Sequence, residues 1–80
     1  MPKELRTYTE KEAECFRRLF ESVEYRTNQL YQSIAEKMYR HEYCLVGHDL
    51  TTTVMEWMKR CGLNVRIAGK NGLFTEIELV

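Results

Sequence analysis

YCLVGHDLTTTVMEWMKRCG, residues 43–62, changes its apolar period partway along. Tyr43-Cys44-Leu45-Val46 is rich in β-prone side chains and is stopped by Gly47, so it reads as a strand. From Leu50 onward the apolar residues fall at Leu50, Val54, Trp57, Met58 and Cys61. That is the spacing of one helical face, and 50–61 reads as a helix. Asp49 or one of Thr51 to Thr53 is the expected cap, with Thr53 and Glu56 offering a capping box. Lys59 and Arg60 complement the negative end of the helix dipole, and Gly62 suits the left-handed residue just past the end.

Downstream, a β-hairpin follows. A two-residue Asn71-Gly72 loop would set Ile67 opposite Glu76 and Val65 opposite Glu78, placing carboxylates on the apolar face. A three-residue loop, Lys70-Asn71-Gly72, with Gly72 left-handed, pairs Gly69 with Leu73 instead. Val65 then faces Ile77, Leu63 faces Leu79, Ile67 faces Thr75 and Arg66 faces Glu76, which is the expected register. A strand–helix–strand link of this length makes a parallel crossover, so the sheet is expected to be mixed.

Upstream, Thr9-Glu10-Lys11-Glu12 is a capping box that opens a helix after a polar leader, residues 1–8. Phe16, Leu19, Phe20 and Val23 form one stripe, and Leu30, Tyr31, Ile34, Ala35 and Met38 form another. A single helix over 9–42 would run about 50 Å, longer than the ~30 Å breadth of an 80-residue domain. The weak helix formers Arg26-Thr27-Asn28, with Asn28 as a cap, favour a helical hairpin. The expected architecture is therefore α+β: a helical hairpin, residues 9–42, then a β-α-β-β unit, residues 43–80. Its three-stranded mixed sheet has helices on one face, and residues 1–80 form one domain.

Composition narrows the function. Twelve basic and twelve acidic residues cancel, and they cancel again within 1–42 (eight each) and 43–80 (four each). Whole-molecule attraction to nucleic acid or to an anionic membrane is thus excluded as a driving force. No apolar run approaches the ~20 residues of a membrane span, and Lys3, Glu4 and Arg6 interrupt any secretion signal. Three widely spaced cysteines make no disulfide framework and suit a reducing cytoplasm. Cys15, Cys44 and Cys61 lie at apolar stripes, where free cysteine behaves as a small hydrophobe, and His41 and His48 read as surface histidines. No close Cys/His pair announces zinc, no nucleophile sits beside a base, and Gly69-Lys70-Asn71-Gly72 leads into no helix that would cradle phosphate. Neither an enzyme, a cofactor nor a metal site is expected.

Residues 43–80 resemble the second half of the TusA-like sulfur-carrier fold, through a strand, Asp49 near a helix start, Trp57 within it, Gly62 and a closing hairpin. The resemblance implies local architecture and no activity. The family's cysteine–proline pair is absent, since Cys15 is followed by Phe16 and the only proline is Pro2.

What remains is surface. Tyr31 and Tyr39 widen the apolar face of the second helix, and tyrosine is enriched in interfaces. Arg66 and Phe74 fall on the outer side of the sheet. These four residues are the expected contacts with another protein, in a non-enzymatic regulator, adaptor or inhibitor of the kind phages encode. The small core also makes a homodimer the expected state. The alternative is a winged-helix DNA-binding regulator that uses Thr52, Lys59, Arg60 and Lys70 on phosphates.

Overall fold

The structure is a computed structural model that describes residues 8–42 and 44–80. The expected leader, except Tyr8, and Tyr43 lie outside the described residues. Helix α1 (Glu10–Glu21) opens on the expected capping box. The Thr9 hydroxyl accepts from the Glu12 amide at 3.1 Å, and the Thr9 amide donates to the Glu12 carboxylate at 3.0 Å. The helical region then breaks twice. Ser22 is extended (φ −68°, ψ 154°) and starts the short α2 (Val23–Thr27). Asn28 starts α3 (Gln29–Tyr39), its side chain accepting from the Leu30 amide at 3.0 Å. The break at Asn28 is the expected one. The earlier break at Ser22 turns Val23 out of the stripe, leaving it 67% exposed.

Both long downstream helices end in the same hydrogen-bonded motif. After α3, His41 N–H bonds the Met38 carbonyl and Glu42 N–H bonds that of Lys37. After α4 (His48–Arg60), Gly62 N–H bonds Lys59 and Leu63 N–H bonds Met58. This Schellman closure needs a left-handed residue. Gly62 supplies it at φ +98°, as expected, and His41 does so at φ +59° despite its side chain.

Helix α4 differs from expectation at its start. It follows strand β1 (Cys44–Gly47) directly, with no side-chain cap. Asp49 and Thr51 to Thr53 lie inside it. One orphan N–H of its first turn is taken by the hairpin loop instead: the His48 amide donates to the Leu73 carbonyl at 3.1 Å. Thr51 donates its hydroxyl back to the Gly47 carbonyl.

Strands β2 (Val65–Asn71) and β3 (Phe74–Leu79) complete a three-stranded sheet of order β1-β3-β2. The class is α+β, as expected, but the sheet is antiparallel throughout. β1 and β2 do run the same way; β3 inserts between them, so no parallel pair forms. The central position gives β3 two antiparallel ladders, the better-bonded arrangement.

The hairpin register also departs from the expected one. The loop is Gly72-Leu73, and Asn71 pairs with Phe74. Gly72 is left-handed at φ +62°, as a two-residue loop of this kind asks of its first residue. A bulge at Ala68 then shifts the ladder, so Ile67 meets Ile77, Arg66 meets Glu78 and Val65 meets Leu79. The bulge does what a longer loop was expected to do: it keeps carboxylates off the apolar side.

Inward, Cys44, Val46, Val65, Thr75 and Ile77 are buried against helices that contribute Phe16, Leu19, Tyr31, Ile34, Val54, Trp57 and Met58. Each large apolar side chain so enclosed contributes about 1.5–3 kcal/mol relative to exposure. Cys15, Cys44 and Cys61 are buried, as expected. Leu45, Arg66 and Phe74 alternate to the other side of the sheet and stay exposed.

Candidate protein-binding face

The outer face of the sheet has an apolar end and a charged end. Strand alternation puts Leu45 opposite Glu76, and Phe74 between Gly47 and Asn71. Leu45 and Phe74 are 44% and 49% exposed, and Leu73 at the adjoining loop is 79% exposed. Toward the other end, Arg66 Nε and Nη2 donate to one oxygen of Glu78 at 2.8 and 2.6 Å. Apolar anchors rimmed by charge are the ordinary anatomy of an interface.

His48 fixes the apolar end. Its Nε2 lies 3.0 Å from the Gly72 carbonyl, and its Nδ1 lies 2.7 Å from the Thr75 hydroxyl. A carbonyl only accepts, so Nε2 carries a proton and donates; in the neutral ring Nδ1 accepts from Thr75. Together with the backbone bond from His48 to Leu73, the ring staples the hairpin tip to the start of α4. Leu73 and Phe74 are thereby presented on a braced turn. The sequence reading missed His48 in this role, because its partners lie 24 and 27 residues away and nothing local marks them.

The other expected contacts scatter. Tyr31 is a correction: only 8% exposed, its ring packs on Trp57 with centroids 4.8 Å apart, which spends it in the core. Tyr39 is exposed but sits in the helical layer, against Tyr8, Phe16 and Phe20. With Phe16, Phe20 and Arg17 it lines an open groove of about 300 Å³ between α1 and α3. Only Arg66 and Phe74 share the outer face.

Of the residues expected in the DNA-binding alternative, Thr52 and Lys59 are exposed on α4, and Lys70 on β2. Arg60 is engaged: its guanidinium bonds the Glu24 carboxylate at 2.7 Å. That bond holds Glu24 below the usual carboxylate range and Arg60 above its ordinary value. α4 is preceded by β1, not by the helix and tight turn of a helix-turn-helix unit.

The histidines are not the plain surface residues expected. His41 is half-buried and stacked on Tyr8, its Nε2 enclosed without a hydrogen-bond partner among the described residues. Among the described residues no three His, Cys, Asp or Glu side chains converge to hold a metal ion, and no helix is long and apolar enough to cross a membrane. Compared with known proteins, the chain matches no family model, no curated protein and no solved structure.

Proposed function

We propose that this chain is a protein-binding module that acts without catalysis, as a regulator, adaptor or inhibitor, by seating its outer sheet face on another protein. The observation that carries the reading is the braced apolar end of that face, Leu45 and Phe74 with Leu73 at the tip, beside the Arg66–Glu78 pair. A partner would bury the three apolar side chains and meet the charged rim. A second copy of the chain is one such partner, and self-association through this face would make the homodimer expected from the chain's size.

The test places a photo-crosslinking residue at Phe74 and, as a control, at Thr52 on α4, in the native cell. The reading expects a discrete protein adduct from position 74, absent from position 52 and lost when Leu45→Glu is added with the fold intact. Adducts of equal yield at both positions would defeat it. A mass that doubles with concentration, and is restored to the monomer by Leu45→Glu, identifies the partner as a second copy. Binding to duplex DNA at about 50 mM salt that weakens steeply by about 200 mM would favour the DNA-binding alternative instead.

A further inference from the structure

Cys15 and the turn that follows Cys61 meet at one junction. Cys15 on α1 and Cys61 at the end of α4 are free, and both are buried in the same core, at 5% and 8% exposure. The chain closes on Cys15 so tightly that a β-carbon on Gly62, the residue after Cys61, would stand 2.7 Å from the Cys15 sulfur. Consecutive Cα atoms are only ~3.8 Å apart, so the backbone of Cys61 is anchored one residue from that contact.

A cleft of about 140 Å³ opens onto Cys15 between Lys11, Glu12, Leu63 and Leu79. Water takes roughly 30 Å³ per molecule in the liquid, so a peroxide-sized molecule fits. Cys61 does not line this cleft. Burial pushes its thiol up, and Arg60 works the other way. Of the two, Cys15 is therefore the one a small reagent in the cleft reaches.

We propose that Cys15 and Cys61 are a redox pair: a small hydroperoxide entering the cleft oxidises Cys15, and Cys61 then closes a disulfide that ties α1 to the end of α4. In the first step the Cys15 sulfur attacks a peroxide oxygen and the O–O bond breaks. The leaving oxygen takes a proton and departs as water, or as an alcohol, leaving a sulfenic acid. In the second, the Cys61 sulfur attacks that of Cys15; the S–S bond forms, the S–O bond breaks, and the sulfenic hydroxyl leaves as water with the Cys61 thiol proton. One peroxide is reduced and two thiols are oxidised, and a dithiol reductant reverses the change by exchange. None of this lies on the outer sheet face, so it holds whether or not that face binds a protein.

The experiment treats the reduced full chain with graded hydrogen peroxide and maps non-reduced peptides by mass spectrometry. The pair predicts an intramolecular peptide joined through Cys15 and Cys61, a chain lighter by two hydrogens, and reversal by dithiothreitol. Cys44 is fully buried with its sulfur toward the Ile34 carbonyl, and its thiol is expected to survive. In Cys61→Ser the reaction is expected to stop at a Cys15 sulfenic acid that dimedone traps. Links through Cys44, disulfides between chains, or progress of wild-type Cys15 to sulfinic acid with Cys61 still free would overturn the proposal. The wild-type map decides the matter even where a variant fails to fold.

Discussion

At the scale of single residues, Ser22 carries more than its place in the sequence suggests. Its hydroxyl donates to the Leu19 carbonyl at 2.7 Å, closing α1, and accepts from the Tyr25 amide at 3.3 Å, opening α2. It also accepts from the Trp57 indole at 3.0 Å, which is the largest fully buried side chain. Replacing it with alanine strands two donors, one of them in the core. Ser22→Ala is expected to lose about 1–3 kcal/mol, the cost of leaving a buried polar group without its partner. The readout is a lower urea midpoint at unchanged slope, with altered Trp57 fluorescence; an unmoved midpoint would refute the role. Thr9 and Ser22 show what was legible at this scale. The Thr9 capping box acts over three residues and stands in the sequence. Ser22 is defined by a partner 35 residues on, and Ser-Val inside an apolar stripe reads as uninterrupted helix. Tyr31 failed for a related reason. Its position on a wide stripe was legible, but which rings close over it depends on where α4 lies.

Elements were legible where periodicity was long, and misplaced where their ends depend on a neighbour. The stripe of α4 was legible because Val54, Trp57, Met58 and Cys61 recur at helical spacing, yet its start was placed two residues late because a carbonyl of the hairpin loop does the work of a cap. The hairpin shows the same limit. Matching apolar residues across the strands was the right criterion, but it can be met by a longer loop or by a bulge, and pattern matching does not separate the two. Deleting Ala68 tests the bulge. Without it Gly69 would still meet Glu76 and Ile67 would still meet Ile77, now in an unbroken ladder. The deletion variant is therefore expected to fold with stability within about 1 kcal/mol of the parent, where removing an inward strand residue costs far more. Bulges twist an edge away from pairing, so the deletion is also expected to raise concentration-dependent association through β2. Global unfolding on deletion, read by circular dichroism, would mean that the bulge does more than adjust register.

At the scale of the whole molecule, helices over one face of a sheet were foreseeable from the order of periods. The insertion of β3 was not, since β1 and β2 run the same way whether or not a strand lies between them. The placement of charge was equally hidden: net neutrality says nothing of which ions meet. The carboxylates of Glu14 and Glu24 are held below their ordinary range. For Glu14 the first cause is the hydrogen bond from Arg17, one turn along the same helix. For Glu24 it is the hydrogen bond from Arg60, 36 residues away, which joins α2 to α4. An unfolded chain has no means of keeping Glu24 beside Arg60, so this shift belongs to the folded state. A carboxyl whose folded value lies below its unfolded one adds stability above the unfolded value, about 4.3 for glutamate. That contribution fades as pH falls through the folded value. Unfolding midpoints at low salt, followed from neutral pH down through this window, are therefore expected to decline less steeply in Arg60→Gln than in the parent. Both side chains of the pair reach solvent, so the difference is expected to be modest and to shrink as salt screens it. An acid slope in Arg60→Gln equal to that of the parent would show that α2 and α4 are held together by the core beneath them, through Ser22 and Trp57, with no help from the ions above.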